Sequence, residues 1–272
     1  MKAIQIIKYG AINDSLSVKE IEKPAITSND ILVEVKAASI NPIDYKLVQG
    51  HLKEMLSLNF PITIGYDLSG VVVEKGVDVT KFEIGDAVYS RVPQEQMGTV
   101  AEFVSVHCDV VAKKPENISF EEAAGLPLAG LTAIQALESV GIKKEDRILI
   151  HAGSGGVGSI AIQYAKAKGA IVYTTTSTKN VDWVKALGAD RVIDYKTEDY
   201  KEVANNLDIV FDTLGGDYTF DAFKIIKDGG KVTSIVGPPD LDTAKQMGMT
   251  DYKLLEKLSK LIEEESAVYK HT

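Results

Sequence analysis

The stretch HAGSGGVGSIAIQ, beginning at His151, places glycines at 153, 155 and 158 between an apolar run, RILIHA, and a stretch with helical spacing. A strand can turn directly into a helix here because Gly153 tolerates dihedrals closed to other residues. Gly155 lets a ligand approach the backbone, and Gly158 lets the helix lie close on the sheet. The following SIAIQYAKAKG carries apolar residues at Ile160, Ile162, Ala165 and Ala167, so its first, unpaired amides face the loop as an anion site. The spacing alone also suits a glycine turn with no ligand. The strand before it, the helix after it and a second apolar run, AIVYTTT, favour a dinucleotide.

The dinucleotide is chosen at the end of that second run. An acidic residue about 20 positions past the glycines would hold the ribose hydroxyls of NAD. Here the sequence is YTTTSTKNVDW, and nothing acidic precedes Asp182. Hydroxyls at Thr176 and Ser177 and the cation of Lys179 stand where a 2′-phosphate would sit, which favours NADPH. Read without that context, Lys179 is a solvated lysine at the start of a helix.

Around this loop the chain changes rhythm. Its first 115 or so residues carry short runs (KAIQIIKY, DILVEVKAASI, GVVVEKG, DAVYSRV, AEFVSVH) broken by Gly, Pro, Asp and Asn, which predicts a compact, mostly β domain. After KKPENISFEEAA, apolar runs alternate with helical segments. Strands are expected at 147–151, 170–175, 191–193, 208–211 and 231–236, with a weaker sixth in SAVYKH from Ser266. That alternation predicts an α/β domain with a parallel sheet and crossover helices, and the composition break puts the boundary at 117/118.

Composition narrows the partners. With 39 Asp and Glu against 30 Lys and Arg, the net charge is −9, and no basic block suits a phosphate backbone. The one cysteine, Cys108, can build neither a disulfide framework nor a thiolate zinc cluster, and it fits a reducing cytoplasm. No signal-like N-terminus and no window of ~18 uninterrupted apolar residues occurs, so neither secretion nor a membrane span is expected.

With LAGLTAIQAL, HAGSGGVG, ALGADRVIDY and FDTLGG in this order, the chain resembles the medium-chain dehydrogenase/reductase superfamily, and within it the zinc-independent NADPH:quinone oxidoreductase and enone reductase branch. The resemblance implies a GroES-like, mostly β catalytic domain over 1–117 and a doubly wound Rossmann domain binding NADP over 118–272, with the active site between them. It implies a nicotinamide-facing threonine at Thr132 and a phosphate loop at Ser154, Gly155, Gly156 and Val157. Adenosine-phosphate contacts match Ser177, Lys179 and Tyr195, while Leu214 and Gly215 would lie near the cofactor and Val236 and Gly237 beside the nicotinamide. Plain packing at strand ends is the simpler reading of those last four.

Zinc-dependent members carry a cysteine in the segment matching NPIDYKL and a histidine-glutamate pair in that matching GYDLSG. Here stand Asn41 and Asp44, then Gly65, Tyr66 and Asp67, so no metal is expected. His51 and His107, isolated in different loops, and His151, at a strand end, are read as structural. Without a metal the substrate must already accept hydride, as a quinone or an α,β-unsaturated carbonyl does, and positioning supplies most of the catalysis. Asn41 is expected to orient the carbonyl or the nicotinamide ribose, with Tyr45, or a water, as the proton source. Asn-Pro also favours a turn whatever the function, and Tyr45 suits packing equally well. Asp44 is read as a structural hydrogen bond.

Relatives of this kind return to the first domain after the sixth Rossmann strand, and this sequence stops near that point, at Thr272. Three expectations follow from it: a fragment or premature stop, a complete variant that covers its open edge by oligomerising, with a homodimer expected because SAVYKH lies where relatives pair sheets, or a non-catalytic NADPH-binding module or sensor. The first is favoured.

Overall fold

The computed structural model describes residues 1–236, which fall into two units, Met1–Leu128 and a second from Ala129 onward. In chain order the first unit contains β1 (Lys2–Ile6), α1 (Ile12–Ser15), β2 (Leu16–Glu20), β3 (Asp30–Ser39), α2 (Pro42–Val48), β4 (Ile62–Thr63), β5 (Asp67–Lys75), β6 (Ala87–Arg91), β7 (Phe103–His107), β8 (Val111–Lys113) and α3 (Phe120–Ala124). Five antiparallel strands run in the order β7-β3-β5-β6-β8, and a smaller sheet runs β2-β1-β4. The strand-rich runs seen in the sequence supply the long members, whose inward residues Ile31, Val33, Leu68, Val72, Val88 and Val106 form one core with Ile6, Leu47 and Tyr66. The unit continues past the composition break because α3 packs on β3 and β5. Ser69 donates to the carbonyl of Phe120, and the amide of Leu128 donates to Asp67 at 3.0 Å.

The second unit contains α4 (Pro127–Ser139, which begins just before the division), β9 (Arg147–Ile150), α5 (Gly156–Ala167), β10 (Ile171–Thr176), α6 (Val181–Ala186), β11 (Arg191–Asp194), α7 (Tyr200–Val203), β12 (Leu207–Asp212), α8 (Asp217–Ile225) and β13 (Ile226–Ser234). All five strands are parallel in the order β11-β10-β9-β12-β13, that is 3-2-1-4-5, the Rossmann order. Both faces are covered. Ile148, Ile150, Val172, Ile209 and Phe211 pack on one side, while Leu149, Ile193, Leu207 and Val210 pack on the other with Tyr200 and Ala222. Burial on both faces explains why these strands read as apolar runs rather than as alternating ones.

One expected strand is displaced. β13 begins at Ile226 rather than 231, because Leu207 pairs with Ile226 and Ile209 pairs with Lys231, and the residues between them bulge. Gly229 turns the bulge at φ +76°, so KDGG, which reads as a plain loop, is part of the strand. The expected strand in SAVYKH and the predicted contact Gly237 lie outside the described residues.

Candidate functional site

The sheet order reverses between β9 and β12, and ligands of such sheets bind beyond the carboxyl ends of the strands at this point. The glycine turn leaves β9 here. Gly153 and Gly158 are buried, and each is glycine for want of room. A Cβ on Gly153 would stand 2.2 Å from Thr174 Oγ1, and one on Gly158 would stand 2.3 Å from the carbonyl oxygen of Ala152. Ala152 itself holds φ +52°, a left-handed conformation costly for a side-chain-bearing residue. Gly155 differs, being exposed and open apart from one atom at 3.3 Å. Gly155 caps α5 without a side-chain bond, and Ser159 is where the helix's own ladder begins, its amide donating to Gly155. The amides of Gly156, Val157 and Gly158 therefore have no intrahelical acceptor, and a phosphate suits them. Ser154 is half-buried beside them. Thr132 lies on α4, one turn beyond Ala129, whose Cβ is 3.7 Å from where a Cβ on Gly156 would be.

The adenosine-end residues come together at the end of β10. Thr176 pairs in register with Asp194, and the amide of Tyr195 donates to the carbonyl of Thr176 at 3.1 Å, which sets an exposed Tyr195 beside Ser177. Lys179 follows on a short 3₁₀ turn, exposed and in no ion pair with a described residue. Thr176 Oγ1 is buried with no partner among the described residues. An orphaned hydroxyl and an exposed cation at the end of β10, with open amides beyond the end of the neighbouring β9, fit a phosphorylated dinucleotide.

Beyond β12, Leu214 is exposed, and Gly215 turns the chain at φ +78°. A Cβ on Gly215 would be 3.0 Å from Val236 Cγ2, so these two predicted contacts touch. Sequence reasoning passed over the polar residues that hold this end together. Asp212 is fully buried and accepts the amides of Leu214 and Gly215, both at 2.9 Å. Thr213 donates to the carbonyl of His151 at 2.9 Å, and Thr175 Oγ1 accepts the amide of Ala152. Their signal was polar residues closing apolar strands, which alone cannot be told from turn chemistry.

His151 is structural, as expected. Its ring is buried edge-on to Tyr200 and Tyr218, with Nδ1 3.3 Å from Thr175 Oγ1. Burial pulls its pKa down to about 4, although Asp212 and Asp221 oppose the shift.

In the first unit, Asn41 caps α2, and Tyr45 stands one turn on, on the same side, 44 % exposed. Asp44 reaches back to the amide of Asn41 at 2.6 Å. Burial pushes the Asp44 carboxyl up to about 6, with the Asn41 amide opposing and Asp67 adding to the shift. The side-chain amide of Asn41 donates to Asp67 Oδ2 at 2.8 Å and to Ser39 Oγ at 3.3 Å. Both hydrogens are thus engaged, and the remaining atom, Oδ1, accepts only, which suits a hydroxyl rather than a carbonyl oxygen. Burial raises the Asp67 carboxyl against three hydrogen bonds, and Tyr66 Oη is buried without a described partner.

Comparison with known proteins agrees with this architecture. A family model described as alcohol dehydrogenase GroES-like domain matches residues 27–133, and one described as zinc-binding dehydrogenase matches 156–258. The 2-methylene-furan-3-one reductase of Solanum lycopersicum is 36% identical over 97% of this chain and 69% of its own length. The NADPH-dependent alkenal/one oxidoreductase, chloroplastic, of Arabidopsis thaliana is 38% identical with the same coverage. The chain belongs to the medium-chain dehydrogenase/reductase superfamily. Among solved structures, the quinone oxidoreductase from Coxiella burnetii superposes with a TM-score of 0.79 at 38% identity, covering 97% of this chain and 88% of that one.

The model described by zinc matches 156–258, whereas the two segments in which the resemblance would set zinc ligands, NPIDYKL and GYDLSG, lie before it, and their residues do not suit the metal. Asn41 and Asp67 bond each other, Gly65 has no donor side chain, and Tyr66 is buried. Among the described residues one group could hold a metal, His107, Cys108 and Asp109, and there Asp109 already pairs with Lys81 at 2.8 Å.

Proposed function

We propose that this chain is an NADPH-dependent oxidoreductase that passes hydride to a quinone or an α,β-unsaturated carbonyl without zinc. The observation that carries the reading is the open, amide-lined turn of Gly155–Gly158 at the switch point of the parallel sheet, with Lys179 in place of an acid at the end of β10. The chain's similarity to alkenal/one, furanone and quinone reductases supports the substrate class.

NADPH, when bound, supplies the hydride. The first amides of α5 would hold its pyrophosphate, Lys179 and Ser177 the 2′-phosphate, and Leu214, Gly215 and Val236 the nicotinamide end. Thr132 completes that set. On the first unit, Asn41 would accept a hydrogen bond from a hydroxyl through Oδ1. Tyr45, whose hydroxyl bonds no described residue, or a water would protonate the carbon or oxygen left negative by hydride addition.

Purified protein mixed with NADPH and a small enone or naphthoquinone is expected to oxidise NADPH, followed at 340 nm. Tight NADPH binding with no oxidation by either class overturns the catalytic reading. Lys179→Ala is expected to weaken NADPH about tenfold and leave NADH unchanged, and equal affinities in the parent overturn the cofactor preference. The proposal includes a homodimer, supported by β13 standing at the sheet edge among the described residues and tested by light scattering. It also includes a cytoplasmic setting, supported by the single cysteine and tested by fractionation.

A further inference from the structure

Asp212 ends β12 and is fully buried, yet no described cation pairs with it. Its carboxylate is satisfied by four neutral donors. Oδ1 takes the amides of Leu214 and Gly215, while Oδ2 takes the hydroxyl of Thr219, on α8, and that of Ser234, at the end of β13, at 3.2 Å. Ser234 Oγ in turn accepts the amide of Val236 at 3.3 Å. The neighbouring Thr213 ties the same strand end to the carbonyl of His151, one residue before the glycine turn.

A buried carboxylate without a counter-ion is costly, and it persists only where its hydrogen bonds are complete. Two amides can only donate, so the group they meet must accept on one atom while its other atom meets two hydroxyls. We infer that Asp212 is a positioning residue: it locks the Leu214–Gly215 turn, the first turn of α8 and the Val236 end of β13 into one surface for the nicotinamide end of the dinucleotide, and Thr213 sets that surface against the glycine turn. The inference rests on the cofactor reading above and goes beyond it, because Asp212 itself need touch nothing bound.

The role separates by fragment. NADPH spans both ends of the site, whereas 2′,5′-ADP has only the adenosine end, which depends on β10 and not on Asp212. In the full chain, Asp212→Ala is expected to weaken NADPH about 10- to 100-fold and leave 2′,5′-ADP within about twofold, both measured by calorimetry. Asp212→Asn should restore most of the affinity, since an amide oxygen can take both backbone donors and the two hydroxyls can rotate to accept from its nitrogen. Hydrogen exchange at Leu214 and Gly215 should quicken in Asp212→Ala and return toward the parent rate in Asp212→Asn. Where Asp212→Ala does not fold, Ser234→Ala and Thr213→Val carry the test, each weakening NADPH several-fold and sparing 2′,5′-ADP. A folded variant set with parental NADPH affinity overturns the inference alone, as does equal loss of both ligands. A parent chain that binds neither ligand overturns the cofactor reading and this inference with it.

Discussion

Two buried titratable residues push the acid stability of this protein in opposite directions. His151 has a folded pKa near 4 against 6.5, so its contribution is present above 6.5 and is lost as the pH falls through 4. Asp44 has a folded pKa near 6 against 3.8, so its contribution is complete below 3.8 and is lost as the pH rises through 6. Each shift corresponds to about 3 kcal/mol at most, and the two windows overlap between pH 4 and 6. The parent is therefore expected to change little across that window. Urea unfolding of Asp44→Asn should show stability falling steeply from pH 6.5 to 4, while His151→Phe should show it rising. Parallel curves for the two variants would mean that other groups dominate. The structural roles of these residues were legible at the residue scale, because Asp44 stands three past an Asn and His151 closes an apolar strand. The partnership of Asn41 with Asp67 was not, since 26 residues separate them and only the pairing of β3 with β5 brings Ser39 opposite Asp67.

Among the elements, the parallel strands could be read to within a few residues because burial on both faces leaves them almost wholly apolar. β2, β4 and β8 could not: they are two to five residues long and largely unburied, so no pattern marks them. The bulged start of β13 escaped for a related reason, its glycines signalling a turn whether or not a partner strand lies alongside. The strand–turn–helix of β9 and α5 was legible in kind, and the structure divides its glycines by task. Gly158→Ala sets a methyl group against the carbonyl of Ala152 and the Cα of Gly153, both backbone, and is expected to cost more than about 2 kcal/mol and to abolish NADPH binding. Gly155→Ala meets only one atom at 3.3 Å and keeps φ at −81°, so it should fold normally and still weaken NADPH about tenfold or more. Thermal melting with NADPH titration checks both, and a destabilised Gly155→Ala would mean that the turn has no open side.

For the molecule as a whole, the two units carry separate cores, and the phosphate and adenosine contacts of the proposed dinucleotide site lie in the second. NADPH at a hundred times its Kd should stabilise that unit by about 2.7 kcal/mol. Hydrogen exchange should report the protection at residues 152–158, 174–177 and 212–216 and leave β3, β5 and β7 at their unliganded rates. Slowing spread evenly over both units would contradict it. Asp212 and Thr213 also limit where the chain can change length. Asp212 closes β12 and Thr213 follows it directly, and their bonds to Ser234 on one side and to the carbonyl of His151 on the other need both residues at their present places along the chain. One residue added or removed after Phe211 would shift both and separate the Asp212 carboxylate from the donors that satisfy it. The protein can therefore vary in length at its outer turns but not here, and a library of single-residue insertions selected for NADPH binding should return none between 210 and 216.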